Sequence, residues 1–150
     1  MASTFTKILV HFVFSTKNRM PTVAPAVEPG LHAYMVGISR NLECWTLAIN
    51  GMPDHIHMLV SLSKKISVVT FMEEVKRDSS RWMNKEHPQR ETFRWQDGYA
   101  GFSIGESGVE PLKVYIANQK KHHERKSFQE ELLELLKKYH VEYDERYIWA

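Results

Sequence analysis

ECWTLAINGMPDHIHMLVSL, residues 43–62, reads as two strands facing each other across a turn. Glu43 to Asn50 and Asp54 to Leu62 are rich in β-branched and apolar side chains, and Asn50-Gly51-Met52-Pro53 has turn chemistry. On the N-terminal side, Lys7 to Phe14 (KILVHFVF) is apolar at nearly every position, the pattern of a central strand covered on both faces. Residues 15–30 carry Pro21, Pro25, Pro29 and Gly30 and are expected to be loop, with a short helix over Leu31 to Arg40. On the C-terminal side the period changes. Val68, Met72, Val75, Ser79 and Trp82 recur at helical spacing and predict a helix from about Ser67 to Met83. A polar loop over Asn84 to Asp97 and a fourth strand over Tyr99 to Ile104 follow. Pro111 suits the first turn of a helix reaching about His123. Ser127-Phe128-Gln129-Glu130 then has the form of a capping box, ahead of a last helix lined by Phe128, Leu132, Leu135, Leu136 and Tyr139.

The order β-α-β-β-α-β-α is the split βαβ arrangement, so the expected class is α+β. It predicts a ferredoxin-like sandwich with an antiparallel four- to five-stranded sheet, helices on one face, and an extra C-terminal helix. That helix has an apolar stripe that needs either its own domain or a second subunit. The aromatic tail Tyr143 to Trp149 is expected to dock. One domain over residues 1–150, with 127–150 as helix and tail, fits a chain of this length. Its composition, 43% hydrophobic and 25% charged, is that of a soluble globular protein. No apolar run is long enough for a membrane span, and the first residues lack the layout of a secretion signal. Cys44 is the single cysteine, which excludes a disulfide framework and a cysteine-based zinc site. A reduced, cytoplasmic setting is expected.

Two local patterns carry chemistry. On a strand, residues two apart share a face, so His55 and His57 project together while Ile56, Met58 and Val60 face the other way. Two imidazoles on a rigid strand form half of a divalent-metal site, although such a pair also occurs as two unrelated strand histidines. On a helix, Tyr115 and Gln119 are four apart and lie side by side, with His122 continuing the stripe and His123 close by. A buried structural tyrosine is the other reading. Taken together, His55, His57 and Gln119 supply three ligands suited to Mg²⁺ or Mn²⁺, and Tyr115 one turn away can attack a phosphorus the metal polarises. Covalent attack by tyrosine preserves bond energy for rejoining, which suits DNA breakage and joining better than hydrolysis.

His55-Ile56-His57 resembles the His-hydrophobic-His motif of the HUH superfamily of nucleases, and Tyr115 with Gln119 resembles its single-tyrosine transposases of small insertion sequences. Phe14 to Arg19, Gly51 to His57, Trp95 to Tyr99, Tyr115 to Gln119 with His122-His123, and Tyr143 to Tyr147 are similar to the family in the same order. The resemblance implies a ferredoxin-like domain, usually a homodimer in which the tyrosine helix of one subunit can complete the other's metal site. It implies a partner, single-stranded DNA with hairpins at element ends, cleaved to a 5′-phosphotyrosine and a free 3′-hydroxyl. Tyr115 would be the nucleophile and His55, His57 and Gln119 the metal ligands.

The basic residues Lys17, Arg19, Arg77, Arg81, Lys120 and Lys121 are candidate phosphate contacts; surface charge explains Lys17 and Arg19 equally well, and a solvated face is the preferred reading for Arg77 and Arg81. Trp95 and Tyr99 suit base stacking or, more simply, the core. His11 suits either a place beside the site or, preferably, a satisfied core position. Two other functions remain open: a domesticated relative cleaving hairpins without moving an element, and a non-catalytic nucleic-acid-binding module. A cupin-like metalloenzyme would require an all-β chain, which the two helical periods oppose.

Overall fold

β1 (Ile8–Ser15) is the central strand of a computed structural model in which residues 3–149 are described. It pairs antiparallel with β3 (His55–Leu62) on one side and with β4 (Ala100–Ile104) on the other. β2 (Trp45–Met52) pairs with β3, giving the order β2-β3-β1-β4. This is the antiparallel ferredoxin-like order expected of the split βαβ arrangement.

α1 (Glu28–Asn41) and α2 (Val68–Glu86) cover one face of the sheet. The alternation of β1 and β3 decides what they meet: Val10, Phe12 and Phe14 join Ile56, Met58 and Val60 in one cluster with Leu31 and Met35 of α1 and Phe71, Met72 and Val75 of α2. The remaining helices lie across the opposite face. α3 (Val109–Ala117) packs Val109 and Ile116 on Leu9 and Leu59. α5 (Phe128–Lys138) packs Phe128 and Leu136 on Val13 and Phe102. The expected arrangement therefore describes α1 and α2, and the later helices close the histidine face. The apolar stripe of α5 finds its partner in its own domain. The tail docks as expected, with Tyr143, Ile148 and Trp149 packed beside α5 while Tyr147 is exposed.

Several boundaries differ from the sequence expectations for identifiable reasons. α1 starts three residues early because Pro29 occupies the first turn, where a missing N–H costs nothing. β2 starts late because Glu43 has φ +61°, which no strand accommodates. The turn between β2 and β3 is Pro53-Asp54, and Asn50 and Gly51 are strand residues. Gly51 is required there by close approach: a Cβ would lie 2.1 Å from the His55 carbonyl oxygen. The helix expected from Pro111 to His123 breaks at Asn118 (φ −94°, ψ 18°), and a single turn, α4 (Gln119–His122), resumes after it. Asparagine is a poor helix former, and the break falls where the chain must turn toward α5. The loop expected over Asn84 to Asp97 is α-helical to Glu86 and sends Phe93 and Trp95 into the core. Among the described residues, no helix is long and apolar enough to cross a membrane.

Candidate active site and metal centre

β3 presents His55 and His57 on the face opposite Ile56, and both are buried (1% and 0% exposed). α3, α4 and α5 converge on them. Asn50, directly across from His57, fixes the approach by donating from Nδ2 to the carbonyls of Ile116 (2.9 Å) and Ala117 (3.2 Å), where α3 ends. This tether sets Tyr115 and Gln119 over the histidines. The Gln119 Oε1 lies 3.3 Å from His55 Nε2, and the Tyr115 ring stands edge-on to His57 at 5.9 Å. The expected set His55, His57, Gln119 and Tyr115 is thus brought together in one chain.

Sequence reasoning missed the residue at the middle of the cluster. Glu131 of α5 is 1% exposed, and its carboxylate accepts from the Tyr115 hydroxyl and from Gln119 Nε2 (3.1 Å). Its Oε1 lies 2.8 Å from His57 Nε2, 3.4 Å from His55 Nε2 and 3.1 Å from His123 Nε2. One donor atom from each of His55, His57, His123 and Glu131 falls within 4.8 Å of all the others, a set able to hold a metal ion. A signal for Glu131 existed: it sits within the buried face of α5 defined by Phe128 and Leu132. A carboxylate inside an apolar stripe requires partners.

The histidines are also held from behind. His55 Nδ1–H donates to Asp54 Oδ1 (2.7 Å), and His123 Nδ1–H donates to the Lys126 carbonyl (2.6 Å). His57 Nδ1 shares a hydrogen bond with His11 Nε2 (2.8 Å). His11 therefore stands beside the site, not merely in the core. Phe128 stacks on His55 at 4.5 Å between ring centroids.

The electrostatics follow from one buried carboxylate among imidazoles. Burial alone would raise the Glu131 carboxyl, but hydrogen bonds from His123, His55 and His57 hold it far below the usual carboxylate range. Burial, the hydrogen bond to Glu131 and its negative charge push the Tyr115 phenol up. Burial lowers His57, whereas the bonds of His55 to Asp54 and Glu131 outweigh its burial and raise it. His11 is pushed down to about 3 by burial and by His57, so it is neutral and able to accept from that ring.

The candidate DNA-contact residues are dispersed. A surface groove of about 650 Å³ opens beside Tyr115, lined by Asn118, Lys121, His122, Glu124, Arg125 and Lys126, so three cations face one carboxylate. Lys120 points elsewhere, its ammonium paired with Glu28 and bound to the Gly51 carbonyl. Arg19 donates to the Trp149 carbonyl (3.3 Å) and stacks over that indole. Arg77 pairs with Glu74 and Asp78 on the surface of α2, Arg81 is exposed on the same helix, and Lys17 is half-buried. Trp95 is core, its indole donating to Ser79 Oγ (2.9 Å), while Tyr99 is partly exposed.

Residues 4–119 match the family described as IS200-like transposases. The ISDra2 transposase TnpA of Deinococcus radiodurans is 24% identical over 114 residues, which cover 73% of this chain and 81% of that protein. A transposase crystal structure from Deinococcus radiodurans R1 superposes with a TM-score of 0.65 at 23% identity, over 79% of this chain and 95% of that one. A REP-associated tyrosine transposase bound to a REP hairpin superposes with a TM-score of 0.62 at 15% identity, over 82% of this chain and 73% of that one. The two superpositions bear on the fold, and the match over residues 4–119 decides the family: the chain belongs to the IS200-like transposases.

Proposed function

We propose that this chain is a metal-dependent transposase that cleaves and rejoins single-stranded DNA at hairpin-bearing element ends through a 5′-phosphotyrosine on Tyr115. The observation that carries the reading is the convergence of half-buried Tyr115 on buried Gln119, His55 and His57, although they come from sequence-distant elements. His55, His57 and Gln119 fit a divalent ion, Mg²⁺ or Mn²⁺. When bound, the ion supplies Lewis-acid neutralisation of the scissile phosphate's non-bridging oxygens. Tyr115 Oη attacks the phosphorus, a P–O bond forms to the phenol, and the bond to the 3′ oxygen breaks to leave a 3′-hydroxyl. Attack by a 3′-hydroxyl on the phosphotyrosine reverses these changes and frees the phenol, so strands are exchanged without hydrolysis.

The groove beside Tyr115, with Lys121, Arg125 and Lys126 along it, suits a single-stranded phosphate backbone. Lys17, Arg19, Arg77 and Arg81 complete the candidate phosphate contacts, and Lys120 and Arg77 are the weakest because their charges are already paired. The hairpin in the REP-associated neighbour supports hairpin DNA as the partner. A homodimer acting in the cytoplasm belongs to the same reading.

The test is a denaturing-gel assay with end-labelled single-stranded DNA carrying a hairpin from the gene's own flanks, with Mg²⁺ or with EDTA. A metal-dependent covalent adduct that Tyr115→Phe abolishes while hairpin binding persists is the expected result. Tight hairpin binding with no adduct would replace the reading with a non-catalytic binding module.

A further inference from the structure

We propose that His123 and Glu131 are themselves metal ligands, so that the centre is a site of three imidazoles and one carboxylate completed by the Gln119 carboxamide. This rests on the metal-dependent reading above and names residues that the His-x-His and glutamine pattern does not include.

The argument is one of donors and acceptors. His55 and His123 each commit Nδ1–H outward, to Asp54 and to the Lys126 carbonyl, so either ring, when neutral, turns its Nε2 lone pair inward. Those lone pairs face Gln119 Oε1 at 3.3 and 3.0 Å and Glu131 Oε1 at 3.4 and 3.1 Å. The Gln119 amide is oriented by its Nε2 donation to Glu131 Oε2 (3.1 Å), which fixes its oxygen toward the histidines. Two imidazole nitrogens and two side-chain oxygens therefore converge in a buried space, where the hydrogen bonds among them can be exchanged for coordination. A divalent cation satisfies such a set at once.

The spacing agrees. Ligand atoms about 2.0–2.2 Å from a metal are separated from one another by roughly 2.8–3.6 Å in tetrahedral or octahedral geometry. The Nε2-to-Glu131 distances of 2.8, 3.1 and 3.4 Å fall in that range. The backing of each Nδ1 by a carboxylate, a carbonyl and a second imidazole is the outer support that metal-binding histidines use. A centre this rich in nitrogen favours Mn²⁺ over Mg²⁺, which prefers oxygen and retained water. Glu131 also reaches Tyr115 through its other oxygen, so one side chain joins the metal centre to the phenol.

The test titrates Mn²⁺ into the full-length protein and follows the free ion by electron paramagnetic resonance, with circular dichroism as the check on folding. Glu131→Gln preserves the shape of the side chain, His123→Ala removes the ring, and His123→Gln is the second variant should the alanine protein fail to fold. Substitutions at both positions, like His57→Ala, are expected to weaken Mn²⁺ binding at least about ten-fold, and Mg²⁺ is expected to compete poorly. Affinity within two-fold of the wild type for Glu131→Gln and the His123 variants, with His57→Ala still losing the ion, would overturn this inference alone. No saturable Mn²⁺ binding by the wild type would overturn it together with the metal-dependent reading beneath it.

Discussion

His55 and His57 belong to a strand paired on both sides, whereas Gln119 and Glu131 lie on α4 and α5 and His123 just after α4, in a part of the chain that reaches the sheet through side-chain contacts. The strand half gains its precision from backbone hydrogen bonds, and every residue of β3 is spoken for by β1 or β2. The helical half depends on Val109 and Ile116 under α3, and on Phe128 and Leu136 under α5. A site built this way has a rigid floor and an adjustable roof. In the proposed function the roof carries the nucleophile, Tyr115, and the floor carries the two strand histidines. The family match ends at Gln119, so the roof also extends beyond it to His123 and Glu131.

Substitutions should separate floor from roof, and the largest effect is expected in the floor. Gly51→Ala puts a Cβ 2.1 Å from the backbone oxygen of His55, in a strand that cannot move without breaking the hairpin. A loss of more than about 4 kcal/mol of stability is expected by chemical denaturation, and a loss under about 1 kcal/mol would mean that the hairpin yields easily. Phe128→Ala attacks the roof, removing a buried ring that stacks on His55. It is expected to cost about 3–5 kcal/mol, with hydrogen-exchange protection lost first in α5 and retained in β1 and β3. Equal loss across both elements would erase the distinction between the two halves. Ser127→Ala removes the capping box at the start of α5, where Ser127 accepts from the Glu130 N–H and the Glu130 carboxylate faces back. About 1 kcal/mol is expected there. The smallest change is Lys126→Ala, whose partly exposed pair with Glu134 contributes under about 1 kcal/mol.

The floor was legible in the sequence and much of the roof was not. Alternation with a period of two places His55 and His57 together without any knowledge of the rest of the chain, and KILVHFVF announces a strand buried on both faces. Tyr115 and Gln119 were found by the four-residue spacing of a helix, and the break at Asn118 does not separate them. Glu131 escaped, and His123 was placed only close to the tyrosine stripe, because their roles depend on how the chain after α3 returns to the sheet, which no local period encodes. For His11 the core reading was preferred because it lies on an apolar strand; the register of β1 against β3 sets it opposite Leu59, diagonal to His57 on the same face. Pro53-Asp54 took the turn from Asn50-Gly51 because Asn50 is needed on the strand, where it holds the end of α3.

The most direct measurement is to form the covalent protein–DNA complex on a hairpin-bearing single strand, digest it with trypsin and nuclease, and locate the nucleotide by mass spectrometry. The account predicts a nucleotide on Tyr115, within the peptide Val114 to Lys120, formed with divalent metal and absent with EDTA. A nucleotide on Tyr99, Tyr139, Tyr143 or Tyr147, or an adduct that forms equally well in EDTA, would contradict it.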